Sequence, residues 1–540
     1  MSEVRRHSTS SSAHSSGGSE KDKDKQKPYV NKLLIYSTSK SVEDMVHGIS
    51  KTYPSLITDK RARVVMIPHE EVSNAVGLIS GGGAGHEPFP SGLVGTGMLT
   101  ASVSGHVFTT PSSSYGLAAI YNVNLFKKGG VLVLVLNYSG TILHFTQACE
   151  FARDMSIRAD TLVVGEDCSH QKAGNKKVLI GKRGLVGIVF LIKIAGAMSV
   201  RGAKMAVIKG ALSDAVNMMA SIAIGNKCCI VPGQHEPHFS VRPNHIQIGV
   251  GVHGQSGNET LEFSSSSETV RIIMKKISSV LKLSPGNSVC AIVSSLGGST
   301  LLECYTIAAD LSYELEKMDI HLERMYVATL FSALDMGGLQ VCIMKVTEEN
   351  KDWINCLDDH TDAPAWPGRC ISYEKSKYIF REAKFNKIQY KHGSRTYDEK
   401  QSAIFRGCIE RVAHAVMDVH DVIEKLGRMD GYGNCGLDFK IFAEVILQEL
   451  NDLPFGWPNP CMLKLSNLAS EEMGGMSGGL YSLMLKAAAQ EAPDWPRCLQ
   501  AAVNAVTHYT AAERGDGTMV TSIILLQSQF IDPQYSRVNR

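Results

Sequence analysis

Along the first 346 residues, apolar positions form short continuous or alternating runs. Further on they fall at three- and four-residue spacing. Residues 33–36, 64–67, 76–79, 131–136, 161–164, 289–293, 325–331 and 340–346 read as strands, or as a leading segment in the case of 33–36. Residues 246–252 alternate in strand fashion. Val131-Leu-Val-Leu-Val-Leu136 has no polar interruption, as expected of a strand covered on both faces. Residues 42–49, the stretch from Tyr115, and the Ala-, Met-, Leu- and Ile-rich residues 184–222 read as helices. Strands alternating with helices over 31–346 predict an α/β domain, built as two α/β subdomains.

Residues 347–400 lose this periodicity. They carry Trp353, Pro364, Trp366 and Pro367 among many charges, and read as a linker partly ordered around Pro364-Ala-Trp-Pro367. From Ser402 the period becomes helical through 404–426, 441–453, 462–472, 480–489 and 497–509. This predicts an all-α second domain over 401–540, with glycine-rich loops at 431–436 and 474–479. Residues 1–30 are mostly Ser, His, Lys and Asp, including Ser8-Thr-Ser-Ser-Ser12. They cannot build a core and read as a disordered tail, inert or a phosphorylation platform.

Composition narrows the class. The 540 residues are 44% hydrophobic and 20% charged, with a net charge of +2, so the chain reads as globular and soluble. No bulk electrostatic case exists for nucleic acid or a membrane surface. No apolar run reaches the length of a membrane span, and no apolar signal core opens the chain. The thirteen cysteines are scattered without a CxxC pair, which fits free thiols in a reducing, cytoplasmic setting.

Candidate chemistry sits where strands end in glycine. Ser80-Gly-Gly-Gly-Ala-Gly-His-Glu-Pro88 has two readings: a turn, or a cradle in which backbone N–H groups meet a small ligand. It is neither a P-loop nor a GxGxxG fingerprint. Phe108-Thr-Thr-Pro-Ser-Ser-Ser114 can cap a helix or bind an anion. Asn137-Tyr-Ser-Gly140 follows a buried strand, where ligands meet an open α/β sheet. His253, framed by Gly249, Gly251 and Gly254, is either structural or a nucleophile or base.

The ordered set of motifs resembles the dihydroxyacetone kinase family. It runs through Gly81-Gly-Gly-Ala-Gly-His-Glu-Pro88, Gly92-Leu-Val-Gly-Thr-Gly-Met-Leu-Thr100 and Asn137-Tyr-Ser-Gly140. It continues through residues 249–257, Leu296-Gly-Gly298, Ser332-Ala-Leu-Asp-Met-Gly337, Met473-Gly-Gly-Met-Ser-Gly-Gly-Leu-Tyr481 and Gly515-Asp-Gly-Thr-Met519. The resemblance spans about residues 31–535, and the single-chain arrangement is similar to that of the ATP-dependent kinases and the triokinase/FMN cyclases. It implies a first domain that binds dihydroxyacetone or glyceraldehyde, with a hemiaminal at His253 and substrate contacts at Gly83, Ala84, Gly85 and His86. It implies a helical domain that brings ATP and Mg²⁺, through Asn434, Cys435, Gly436, Leu437, Met476, Ser477, Asp516, Thr518 and Met519. It also implies a dimer, either of this chain or with a paralogue.

Departures from the family pattern fall on chemistry. Leu136 stands where the family has a substrate-binding lysine, and Thr141 where it has an aspartate general base. Gly427, Tyr432 and Asn434 stand where three aspartates hold metal, so no metal site is expected; Asp430 and Asp438 lie nearby at the wrong spacing. Gly517 replaces an arginine and Thr521 an aspartate. The sequence ends at Arg540, where family members run on through further helices, so the helical domain is expected to be incomplete. Together these predict a triokinase-like protein with kinase chemistry lost or strongly reduced and triose binding retained, and ATP and Mg²⁺ binding doubtful. The alternatives are an active divergent kinase and a regulatory partner of an active paralogue.

Overall fold

The computed structural model describes residues 34–35, 40–69, 71–169, 182–234, 236–368, 396–429, 435–509 and 519–531. They fall into two compact units that divide between Tyr378 and Ile379.

The first unit holds two six-stranded sheets. One comprises β1 (Ile57–Asp59), β2 (Val64–Met66), β3 (Gly77–Ala84), β4 (Ala101–Val107), β5 (Val131–Leu136) and β6 (Ala159–Val164), in the order β1-β2-β4-β3-β5-β6. Its β4-β3-β5-β6 portion is parallel, while β2 runs antiparallel to both β1 and β4. Helices α1 (Ser41–Thr52), α2 (Ser113–Asn124), α3 (Ser139–Asp154), α4 (Ile188–Val200) and α5 (Met205–Asn217) belong to this half. All six residues of β5 are buried, as an uninterrupted apolar run requires in a parallel sheet. Helix α4 is apolar nearly all round and is buried along almost its whole length.

The second sheet comprises β7 (Met219–Lys227), β8 (His245–Ile248), β9 (Glu259–Glu262), β10 (Ser288–Ser295), β11 (His321–Ala328) and β12 (Gly337–Val346), in the order β11-β10-β12-β7-β8-β9. Only β10 and β11 pair in parallel. Helices α6 (Ser266–Leu281) and α7 (Leu301–Lys317) complete it, with the apolar faces of both in the second core. A bridge between Asp167 and Ser221 joins the two halves. The α/β reading therefore holds, with a mixed sheet in each half.

Several local readings change. Residues 219–222 were expected to continue a helix, yet they begin β7, a central strand whose first seven residues are buried. The glycine stretch was expected to begin after a strand, yet β3 runs through Gly81–Gly83 to Ala84. A Cβ on Gly81 would stand 2.4 Å from the Val103 carbonyl oxygen and 2.7 Å from Phe145, so glycine there permits close strand and helix packing. The alternating run 246–252 is a strand only to Ile248, after which Gly249 takes φ +81° and turns the chain. Strand β4 was not read from the sequence, although Ala101, Val103 and Val107 alternate with Ser102, Ser104 and His106. The stretch read as a linker opens with ordered structure: α8 (Asp352–Asp358) places Trp353 in the first core, where Trp366 also packs.

The second unit is all-helical in its described residues: α9 (Glu399–Met429), α10 (Cys435–Gln448), α11 (Pro458–Glu472), α12 (Gly475–Glu491), α13 (Trp495–Tyr509) and α14 (Met519–Ile531). Its main core gathers Phe405, Ile446, Leu465 and Ala489, among others. Helix α14 lies where the sequence offered only a short glycine motif. No helix among the described residues is long and apolar enough to cross a membrane, and the twelve described cysteines are all free.

Candidate functional site

Four segments of the first unit converge on a cavity of about 290 Å³. The end of β3 and the turn after it supply Gly82, Gly83 and His86. The end of β5 and the first turn of α3 supply Leu136, Tyr138 and Thr141. The loop after β4 supplies Phe108 and Thr110, and the glycine turn after β8 supplies His253 and Gln255. In the parallel part of the sheet this is the carboxyl end of the strands, where an open α/β sheet receives a ligand.

His86 is 1% exposed and tightly held. Its ring is sandwiched between Phe108, 5.2 Å away at 21°, and Phe331, 5.1 Å away at 7°. Nδ1–H donates to the Ser332 carbonyl at 2.8 Å, because a carbonyl can only accept. This fixes the tautomer: Nε2 carries the lone pair. It is buried and has no protein partner among the described residues. Burial lowers the imidazole pKa to about 4, against a smaller upward pull from the Ser332 hydrogen bond.

The His253 ring stands edge-on to the ring of His86 at 4.9 Å, of Tyr138 at 4.8 Å and of Phe108 at 5.5 Å. Burial lowers its pKa to about 3, aided by His86 and the Arg183 charge. Both histidines are therefore neutral across the physiological range. Tyr138 donates to the Gly184 carbonyl at 3.0 Å, and burial raises its phenol well above the usual value.

The remaining wall is neutral as well. Leu136 is 4% exposed, and Thr141 is buried with its hydroxyl 3.0 Å from that of Thr110. The arrangement offers an imidazole that can add to a carbonyl carbon and hydroxyls that can bind oxygen. Among the described residues no cation or carboxylate lines it.

Gly83, His86, Leu136, Thr141 and His253 thus share one cavity, whereas Ala84 and Gly85 stand behind it. Ala84 accepts from the Phe108 amide, and the Gly85 amide donates to the Glu87 carboxylate at 2.9 Å. That amide is not presented to a ligand. Thr110 and Gln255 were missed as cavity residues. Both lie in stretches the sequence marked, 108–114 and 249–257, but what places each in the cavity, a contact 31 residues distant for Thr110 and a tight turn for Gln255, leaves no pattern of its own.

In the second unit, α10 begins at Cys435, whose Sγ lies 3.8 Å from the Ser477 hydroxyl of α12. The amides of Gly436 and Leu437 both donate to one carboxylate oxygen of Glu424, at 2.9 and 3.3 Å. An anion arriving at this helix start would have to displace that carboxylate. Ser477 is buried, and Met476 and Leu437 are exposed. Gly427, inside α9, offers no side-chain oxygen. Asp438 lies against the start of α12, with a carboxylate oxygen 3.5 Å from where a Cβ on Gly475 would stand. Among the described residues no three His, Cys, Asp or Glu side chains gather as metal ligands. Asp430, Tyr432, Asn434, Asp516, Gly517 and Thr518 lie outside the described residues, and Met519 is described only as the first residue of α14.

Comparison with known proteins agrees across both units. Residues 47–365 match the Dak1 domain and residues 431–536 the DAK2 domain. Triokinase/FMN cyclase of Bos taurus is 32% identical over 509 residues, covering 92% of this chain and 86% of that protein. The crystal structure of the dihydroxyacetone kinase from C. freundii, in complex with AMP-PNP and Mg²⁺, is similar with a TM-score of 0.67 and 26% identity. It covers 94% of this chain and 93% of that one. The structure of the dihydroxyacetone kinase operon co-activator Dha-DhaQ is similar with a TM-score of 0.57 and 27% identity, over 61% of this chain and 98% of that one.

Proposed function

Given that the chain belongs to the dihydroxyacetone kinase family, we propose that it binds small carbonyl compounds covalently in its first unit and phosphorylates them slowly or not at all. The substrate class is the triose, dihydroxyacetone or glyceraldehyde. The observation that carries the proposal is the cavity itself: two neutral histidines remain, while Leu136 and Thr141 face them.

The chemistry follows from His253. The lone pair of a ring nitrogen attacks the carbonyl carbon, forming a C–N bond as the C=O π pair moves to oxygen. The proton on the other ring nitrogen is lost and that oxygen gains one, leaving a neutral hemiaminal with no leaving group. A protonated imidazole cannot do this, so the low pKa of His253 suits the step. His86 Nε2 can accept a hydrogen bond from a substrate hydroxyl. Phosphorylation needs a base for the attacking hydroxyl. Threonine cannot serve as one near neutral pH, and loss of a general base costs about 10²–10⁴-fold.

The second unit supports the same reading. ATP with Mg²⁺ would supply the transferable phosphoryl group, but the residues at its family positions do not offer the carboxylates that a hard cation needs. We read residues 31–346 as the carbonyl-binding domain, 347–400 as a connection and 401–540 as the helical nucleotide-type domain. Titration calorimetry with ATP, in the presence and absence of Mg²⁺, tests the nucleotide half. No metal-dependent affinity is expected, and tight Mg²⁺-dependent binding would favour the active, divergent kinase.

A second reading is regulatory: the chain acts as a homodimer, or in a heterodimer with an active paralogue, in the cytoplasm. It is favoured by the likeness of the first unit to a chain described as an operon co-activator. A pull-down with an active paralogue, together with that paralogue's turnover, tests it; no recovery and unchanged turnover would count against it.

A further inference from the structure

The turn that carries His253 has no regular secondary structure to hold it, since β8 ends at Ile248. Its backbone is held instead by a buried group from another part of the chain. Arg183 and Asp167 are 8% and 3% exposed and form an ion pair at 2.6 Å. Arg183 Nε also donates to the same Asp167 oxygen at 2.7 Å. The other carboxylate oxygen accepts from the Ser169 amide at 2.9 Å and from its hydroxyl at 2.6 Å. The carboxylate is thus fully engaged and the guanidinium cannot swing. From this anchor Arg183 Nη2 donates to the Gly249 carbonyl at 2.8 Å, with the Val250 carbonyl alongside at 3.4 Å.

The glycines of the turn record the same packing. A Cβ on Gly249 would stand 2.8 Å from the Ser169 hydroxyl. A Cβ on Gly251 would stand 2.0 Å from Gln255 Oε1 and 2.8 Å from Arg183 Nη1. The turn is closed on its far side by the Gly251 amide donating to the Gln255 carbonyl, and by the His253 amide donating to Gln255 Oε1. Asn258 Nδ2 donates back to the Ser169 carbonyl at 2.8 Å. The backbone before and after His253 is therefore tied to one buried platform made by Asp167, Ser169 and Arg183.

We propose that Arg183 is a positioning residue for covalent carbonyl binding: its guanidinium, anchored on Asp167, holds the Gly249–Val250 carbonyls and so sets where the His253 ring stands in the cavity. The inference rests on the carbonyl-binding reading given above. A planar fork serves a carboxylate and a carbonyl at once, whereas an ammonium on a flexible stem does not hold both in one geometry. Misplacing a reacting group by about 1 Å can cost about 10²-fold.

The test uses the full chain and [2-¹³C]dihydroxyacetone. The readout is the fraction of protein whose bound carbon has moved from the ketone to the sp³ hemiaminal region of the ¹³C spectrum, with thermal unfolding measured in parallel. Wild type should show the adduct and His253→Ala none. Arg183→Lys should unfold close to wild type yet lose about tenfold or more in adduct affinity. A folded Arg183→Lys protein with wild-type adduct affinity would overturn the positioning role and leave carbonyl binding standing. Absence of the adduct in wild type would remove both. Should the lysine variant fail to fold, the neutral pair Asp167→Asn/Arg183→Gln is judged by the same criterion, since it leaves no buried charge unpaired.

Discussion

At His86 the fold fixes a tautomer, and at His253 it fixes a protonation state. The Ser332 carbonyl can only accept, so the His86 proton sits on Nδ1 and a lone pair remains on Nε2. His253 has its pKa lowered to about 3, chiefly by burial. The consequence for pH is direct. A histidine with an ordinary pKa near 6.5 would lose nucleophilicity on acidification through that value. With a depressed pKa the neutral form persists, so adduct formation should be flat from about pH 8 down to about pH 5. An adduct titration that falls with a midpoint near 6.5 would contradict this. His253→Ala should abolish the adduct and leave the thermal midpoint close to wild type, because the ring is only partly buried and anchors no core. Retention of the adduct in that variant would place the reacting group elsewhere.

At the scale of elements, what the sequence made legible was what repeats. The apolar run of β5, the amphipathic α1 and the change of period into the helical unit each leave a pattern, and each element is found there. Strand β7 was lost because an Ala-, Met- and Ile-rich strand buried on both faces has no alternation to distinguish it from a helix. The candidate site was half legible. His86 and His253 stand in glycine-framed motifs, but the Thr110–Thr141 pair and the Arg183 platform are contacts between segments far apart in the chain. Local pattern cannot encode those. Two element-level outcomes follow. Gly81→Ala should cost about 1–3 kcal/mol as overpacking between β3, β4 and α3, read as a lower urea midpoint; an unchanged midpoint would show that the sheet can yield there. Glu424→Ala removes the carboxylate that caps α10 and should cost about 1 kcal/mol in the helical unit. A stabilised variant would show that Glu424 is held there at an electrostatic cost.

For the molecule as a whole, the family architecture extends across both units, and the loss of charged groups proposed above falls where phosphoryl transfer would need them. Glycines shape β3 and the turn that carries His253. Leu136 and Thr141 line the cavity, which carries no charged side chain among the described residues. A chain of this kind is expected to hold a triose without advancing it. A single sample decides this most directly: purified full-length protein with [2-¹³C]dihydroxyacetone, ATP and Mg²⁺, followed by ¹³C and ³¹P spectra over time. The hemiaminal carbon should appear while the ATP and ketose signals persist. Appearance of the phosphorylated triose at an ordinary enzymatic rate, about 1 s⁻¹ or faster, would contradict the proposal.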